Sequence, residues 1–396
     1  MGVIANRPTE IAMTKIAILA DFFPPASRAG GPVRTLHAMV SQTTSTASIA
    51  IFTSGHDLDD ESPLPVPLDE WVNHPPARIW YRGKGLRCYY QMQLSIRNFR
   101  PDLLYLNSFF STPSAIVPLV LHRLRFYGNA KAIIAPRGEL DAGALKTRQT
   151  KKLLFIHALK LLLLPTIKAW HASTADEAES IRRLFPEATV LKHANETPLP
   201  NQATTNPLSQ RERKVLFLSR VAPKKGLHTL IQAVALSKRD IHLEIVGDGK
   251  DGDAEYLRYC QGLARDAPPH VRVTFLGHRD ISDPQSFFAS YQLAVLPTLG
   301  ENFGHVIAES LSAGTPILVA PTTPWTSTLE RLGLVVASFD PEEWTKSIEC
   351  LMSLSDQEFL RLSEQIASEY EAWQIHQHAR PNFLNVLSEL HTMNRI

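Results

Sequence analysis

Residues 293–325 read LAVLPTLGENFGHVIAESLSAGTPILVAPTTPW, and the rest of this 396-residue chain is best read outward from them. The stretch opens with a short apolar run, Leu293–Leu296, closed by Pro297, which has the length and composition of a buried strand. A loop follows with Gly300, Glu301, Asn302, Phe303 and Gly304. Beyond His305, residues Val306, Ile307, Ser310, Leu311 and Ala313 recur at helical spacing. Gly314 stands where a helix C-terminal glycine belongs, and Pro316 forbids continuation. Ile317–Ala320 is a second strand of the buried type. The strand–loop–helix unit carries two carboxylates, Glu301 in the loop and Glu309 inside the helix, eight residues on.

In a parallel sheet, ligands bind beyond the C-terminal ends of the strands, where this loop falls. The first N–H groups of a helix favour an anion, and Gly300 and Gly304 let the backbone approach a ligand closely. Ionised carboxylates only accept hydrogen bonds, which suits the hydroxyls of a sugar and a ribose. The plain alternative makes Glu301 a loop charge and Glu309 a solvated helix position. Against it stand the apolar neighbours of Glu309, namely Ile307, Ala308, Leu311 and Ala313.

Two series of strands extend from this unit. Lys15–Asp21, Ser48–Thr53, Asp102–Leu106, Lys131–Ala135 and Ala169–Ser173 form the first, with helical segments such as Val33–Val40 between them. Lys214–Ser219, Ile241–Gly249 and Val271–Gly277 lead the second. Strands alternating with helices predict doubly wound parallel sheets. Glu196–Arg213, rich in Pro, Thr, Asn and Gln, reads as the interdomain linker. Helices are predicted over Pro341–Leu354, Gln357–Glu371 and Trp373–Leu390, the last interrupted near Pro381.

Other residues bear on chemistry. Arg220, at the end of one strand, and Lys225, near the start of the next helix, would converge on a diphosphate, Arg as a planar fork and Lys as a compact charge. Gly30 and Gly31 precede a helix and could present N–H groups to phosphate, although a plain turn would look the same. No glycine pattern of the dinucleotide-binding type occurs there. Asp57 and Asp59 form a D-x-D after a strand, a pattern able to hold a metal, but the prolines that follow suggest a solvated loop. Asp248, Asp251 and Asp253 do not make a calcium loop, because the twelfth position is Tyr259.

Net charge is only +2, yet sixteen basic residues face three acids between Arg78 and Lys168. That half-domain could meet an anionic membrane surface or a pyrophosphate-bearing acceptor; no nucleic-acid signature accompanies it. Cys88, Cys260 and Cys350 are widely spaced and fit a reduced cytoplasm. Leu153–Pro165 is the most apolar stretch and reads as a buried or interfacial helix behind Lys151 and Lys152. The first dozen residues do not read as a signal peptide.

Glu301-Asn302-Phe303-Gly304 followed by Glu309-Ser310-Leu311, Gly314 and Pro316 resembles the E-x7-E signature of family 4 glycosyltransferases, with Asn302 in place of the commoner Gly. Arg220 to Lys225-Gly226 resembles that family's R-x4-K-G. Pro136-Arg137-Gly138-Glu139-Leu140, Gly143-Ala144-Leu145-Lys146, His171-Ala172-Ser173 and Thr323-Pro324-Trp325 are similar to a subgroup linked to surface-polysaccharide assembly.

The resemblance, covering about Lys15 to Trp373, implies the GT-B fold: α/β, with two Rossmann-like doubly wound parallel-sheet domains facing a cleft. The expected domains are 1–200, with a C-terminal helix over 374–396 packing back on it, and 201–373. The implied reaction is retaining transfer of a hexose from a nucleotide sugar, a UDP-sugar by preference, to a hydroxyl of a glycan or lipid-linked glycan, with no metal and no separate cofactor. Arg220 and Lys225 would hold the diphosphate, Glu301 the hexose and Glu309 the ribose. Gly30, Gly31, Gly247, His278, Asn302, Phe303, Gly304 and His305 would complete the donor site. Arg137, where many relatives carry a His, would meet the donor sugar or its phosphate, with a surface ion pair to Glu139 or Asp141 as the plain alternative. Asn107 would join Arg137 on the acceptor side. The cysteines and the basic half-domain together suggest a cytoplasmic location, peripheral on the inner face of the plasma membrane. Two rival functions remain: hydrolysis or epimerisation of a nucleotide sugar, and non-catalytic polysaccharide binding.

Overall fold

A computed structural model of the chain describes residues 13–44, 47–141, 156, 166–249 and 253–396. Gly143–Lys146, Lys151, Lys152, Asp251 and the first dozen residues lie outside that set, as does Leu153–Pro165 apart from Ile156, which is buried. The chain divides into two compact units, Met1–Glu196 with Pro381–Ile396, and Thr197–Arg380.

The first unit holds eight strands: β1 (Thr14–Leu19), β2 (Ala47–Ser54), β3 (Trp71–His74), β4 (Ala77–Arg82), β5 (Leu103–Leu106), β6 (Lys131–Ile134), β7 (Ile167–Ala172) and β8 (Val190–Lys192). Their order is β3-β4-β2-β1-β5-β6-β7-β8. Alternate residues of each inner strand enter opposite cores, as the period of two requires. Ile16 and Ile18 join one cluster and Ala17 and Leu19 the other; Leu103 and Tyr105 oppose Leu104 and Leu106 in the same way. A sheet buried on both faces explains why these segments read as unbroken apolar runs. Each large aliphatic side chain so buried is worth about 1.5–3 kcal/mol. The expected all-parallel sheet fails at one edge, where β3 pairs antiparallel with β4. Only Pro75 and Pro76 separate the two, and so short a link cannot make a parallel crossover.

The second unit has five strands: β9 (Glu212–Leu218), β10 (Ile241–Val246), β11 (Val271–Gly277), β12 (Tyr291–Leu296) and β13 (Ile317–Val319). They are ordered β11-β10-β9-β12-β13, with every pair parallel. In both sheets the strand order reverses next to the first strand, between β1 and β5 and between β9 and β12. Connections leave these neighbouring strands on opposite faces, and a crevice opens at their C-terminal ends.

Two readings of the sequence are corrected. The supposed linker is laid down on the second unit: Leu208 and Arg211 are buried, and Thr204 N–H donates to the Ser312 carbonyl. The Arg211 guanidinium donates to the carbonyls of Asn206, Tyr291 and Ala313 and to Thr315 Oγ1. A cation there complements the C-terminal end of the His305–Ser312 helix. The segment needs few apolar residues because backbone and guanidinium hydrogen bonds help Leu199, Ala203 and Leu208 to hold it. Second, one helix runs unbroken over Asp356–His378, started by a Ser355/Glu358 capping box. No breaker stands at Ala372, so the break falls at Pro381, and a last helix, Phe383–Thr392, belongs to the first unit.

Candidate functional site

In the second unit, three strand exits are brought together by glycines. Gly247, after β10, has φ 141°, and a Cβ there would lie 1.9 Å from the Ser219 carbonyl oxygen after β9. Its N–H donates to the Gly277 carbonyl at the end of β11. Gly226 has φ 70°, and a Cβ would lie 2.0 Å from the Pro297 carbonyl oxygen after β12. Only glycine permits these backbones to touch. Leu299 N–H then donates to the Lys224 carbonyl at 2.7 Å, closing the β12 exit onto the β9 exit.

The result is a contact between two predicted site residues at the reversal point of the sheet. Lys225 Nζ lies 2.5 Å from Glu301 Oε1, with the two side chains only 17% and 13% exposed. Shielding of that degree strengthens the Coulomb attraction between the two charges, while their desolvation offsets part of it. Arg220 is exposed just beyond the end of β9, the strand whose exit also leads to Lys225. The His305–Ser312 helix begins behind Gly304 (φ 80°), and the Phe303 and His305 rings lie 4.6 Å apart, tilted by 54°. Asn302 is half-buried on the same loop, and His278 is exposed after β11. Glu309 is 2% exposed, so it is not a solvated helix position. A carboxylate so buried needs hydrogen-bond donors around it. The edge thus gathers cations suited to a diphosphate and carboxylates suited to hydroxyls.

The first unit builds its edge differently. Arg137 follows β6 with φ 55°, a conformation that a non-glycine residue rarely adopts. Its guanidinium donates to Asn107 Oδ1 (2.7 Å), Asn195 Oδ1 (2.6 Å) and Tyr105 Oη (2.8 Å). The surface ion pair is therefore not formed. Glu139 instead accepts from Ser108 Oγ and the N–H groups of Phe109 and Phe110, while burial pushes its pKa up. Asn107 is buried and committed to Arg137.

Beyond Arg137 the chain of hydrogen bonds continues inward. His171 Nε2 faces the His193 carbonyl, which can only accept, so the proton sits on Nε2. Nδ1 then accepts from the Tyr105 hydroxyl at 2.7 Å. Burial, helped by Arg137, lowers the His171 pKa well below its ordinary value, in keeping with a neutral ring. Phe383 stacks on that ring at 3.8 Å, and its N–H donates to Glu196 Oε1.

A cavity of about 380 Å³ lies at the reversal between β1 and β5. Asp21, Arg82, Ser111 and Ser114 line it along with apolar Leu19, Phe52 and Met92. Asp21 Oδ1 accepts from Ser111 Oγ (2.5 Å) and Ser114 Oγ (2.6 Å). Gly30 (φ 68°) and Gly31 stand at the start of the Gly31–Ser41 helix. Asp57 accepts from the N–H groups of Ser27, Arg28 and Leu58, so its carboxylate fastens that loop. Among the described residues, no three His, Cys, Asp or Glu side chains are grouped to hold a metal ion. Tyr105, Asn195, Asp21, Ser111 and Ser114 were not singled out from the sequence. Asp21 and Ser111 do sit just beyond apolar strands, the only local signal they give.

The architecture is that of the GT-B glycosyltransferases, two parallel-sheet α/β domains. Residues 212–353, which contain the whole second-unit edge, match the family described as Glycosyl transferases group 1. Over 141 residues the chain is 32% identical to the lipopolysaccharide core biosynthesis glycosyltransferase LpsE of Rhizobium meliloti, covering 35% of this chain and 39% of that protein. It is 28% identical over 171 residues to a D-inositol 3-phosphate glycosyltransferase of Gordonia bronchialis, covering 40% and 37%. The matches thus span under half the length of these curated relatives. Anabaena Alr3699/HepE, solved in complex with UDP and glucose, aligns over 97% of this chain and all of its own, with a TM-score of 0.67 at 16% identity. Sucrose-phosphate synthase of Thermosynechococcus elongatus covers 94% of this chain and all of its own, with a TM-score of 0.69 at 19% identity. No helix among the described residues is long and apolar enough to cross a membrane.

Proposed function

We propose that this chain is a retaining glycosyltransferase that moves a hexose from a nucleotide sugar, UDP-linked, to a hydroxyl of a glycan or lipid-linked glycan in surface-polysaccharide assembly. The observation that carries this reading is the meeting of Lys225 and Glu301 at the sheet's reversal point, on the strand exit that also bears Arg220. The matched segment, the LpsE likeness and the UDP and glucose held by HepE support it.

Breaking the anomeric C–O bond puts negative charge on the leaving diphosphate. Arg220 and Lys225 stabilise it as it develops, without a metal. Lys225 then trades its contact with Glu301 for phosphate oxygens, and Glu301 turns to the hexose hydroxyls. Glu309 accepts from the ribose hydroxyls, and Gly247 and His278 border the base. Arg137 keeps two guanidinium hydrogens for a sugar or phosphate oxygen, and Gly31 offers its N–H to phosphate, whereas the Gly30 N–H is donated to the Ser27 carbonyl. Retention and metal independence rest on the family resemblance, and a peripheral place on the inner face of the plasma membrane rests on the basic stretch between Arg78 and Lys168. For the acceptor we assign the cavity around Asp21, whose carboxylate accepts hydroxyls and whose apolar floor suits a sugar ring. Asn107 serves the acceptor side only indirectly, by holding Arg137.

The test is a thermal-shift series with UDP, GDP, ADP and CMP, with and without EDTA. A rise in Tm with UDP that EDTA leaves intact is expected. No rise with any nucleotide would remove the reading, and an EDTA-sensitive rise would remove its metal-free form.

A further inference from the structure

The Thr323-Pro324-Trp325 segment has no part in the chemistry above, yet its neighbourhood grips the loop that carries Glu301. Strand β13 pairs with β12 in parallel register, Ala294 beside Ile317 and Leu296 beside Val319. The two exits therefore run side by side. Glu301 N–H donates to the Thr322 carbonyl at 3.2 Å. Thr322 Oγ1 donates to the Thr298 carbonyl at 2.6 Å. The Trp325 indole Nε1–H donates to the Phe303 carbonyl at 2.7 Å. Three hydrogen bonds thus fasten residues 298, 301 and 303, on both sides of the Glu301 carboxylate.

The indole is itself fixed. Trp325 is 4% exposed and packs on Trp373 of the Asp356–His378 helix at 4.8 Å, with Phe303 6.1 Å from both rings. A Cβ at Gly304 would lie 3.3 Å from Trp325 Cδ1, so the glycine leaves room for the ring. A carboxylate that must meet particular hydroxyls of a ligand needs its backbone held to a fraction of an ångström. The Lys225 contact fixes only the tip of the side chain.

We propose that Trp325, assisted by Thr322, is a positioning residue that sets Glu301 against the hexose of the donor and so governs recognition of the sugar rather than of the nucleotide. The inference rests on the function proposed above. The two parts of the donor separate it from a merely structural role, because the nucleoside diphosphate contacts lie on Arg220, Lys225 and Glu309, outside the latched residues.

The experiment is calorimetric titration of the full chain and of Trp325→Phe with UDP, GDP or ADP, whichever raises Tm most, and with its glucose ester. Phe keeps a ring in the cluster and deletes the one donor. The expected result is a Kd for the glucose ester weakened about tenfold, the worth of one buried hydrogen bond, with the diphosphate Kd unchanged within about twofold. Thr322→Val keeps the carbonyl and loses only the hydroxyl, so it should give the same pattern at about threefold. Equal weakening of both ligands, or a lowered Tm with both affinities intact, would overturn the proposal. A parent chain that binds the diphosphate and not the glucose ester would overturn it too, leaving the nucleotide site standing. A parent chain that binds neither would remove the proposed function and this inference with it.

Discussion

The two sheets reverse their strand order in the same way, but the edges at those reversals are held by different means. In the second unit, backbone touches backbone: Gly226 against Pro297, Gly247 against Ser219, Leu299 against Lys224. The charged groups ride on loops that are locked before any side chain is considered. In the first unit, side chains do the holding. Arg137 is suspended among Tyr105, Asn107 and Asn195, and the web closes inward through His171 onto Phe383. Backbone locking joins strand exits that are distant in sequence, but the glycine that permits each close approach is written into its own short loop. A web of side chains recruits partners from anywhere that the fold brings them.

The largest effect should come from the charges on the locked edge. Arg220→Ala is expected to cut turnover by about 100-fold or more, because the lost interaction strengthens as the leaving diphosphate gains charge. Full turnover in that variant, measured by product formation from the nucleotide sugar, would disconnect the edge from catalysis. Next is the lock itself. Gly226→Ala places a Cβ on the Pro297 carbonyl at a left-handed φ, and should cost about 1–3 kcal/mol and weaken nucleotide binding. Gly128→Ala in the first unit has a φ of 70° with nothing within 4 Å, and serves as the control for backbone strain alone. If the two alanine variants lose equal stability in denaturant titrations, the close approach is not what holds the second edge.

The smallest effect should belong to the web, and it depends on pH. Burial lowers the His171 pKa below its ordinary value of 6.5, so the unfolded chain binds a proton there before the folded one does. Stability from this group is full above about pH 6.5 and falls as pH drops below it. Buried Glu139 and Glu196, whose pKa values are raised, act in the opposite sense, losing their contribution as pH rises past the ordinary carboxylate range. His171→Gln should therefore show a flatter decline in Tm between pH 6.5 and 5 than the parent. An unchanged slope would mean that the ring is not held neutral by the web.

This contrast also explains what could be read in advance. Glu301, Glu309, Arg220 and Lys225 stand in short, patterned segments, because a strand, a glycine turn and a helix start specify each loop locally. Arg137 was visible through its motif, but its partners were not. Nothing about Asn195, or about Phe383 some 190 residues farther on, marks it in sequence as part of the Arg137 web. The supposed linker misled for a related reason: a polar segment can be firmly packed when a buried guanidinium such as Arg211 supplies the donors.

By itself, then, the amino-acid sequence determined two parallel-sheet α/β units, the placing of most strands, and the loops that bear the charges. Each depends on residue spacing, apolar runs and glycines within a few positions of one another. Tertiary structure alone decided that Lys225 meets Glu301, that Trp325 donates to the loop that carries Glu301, that Asp21 faces a cavity, and that Arg137 is hung among neutral oxygens. Those outcomes depend on which strands become neighbours, and strand order follows from packing the whole chain.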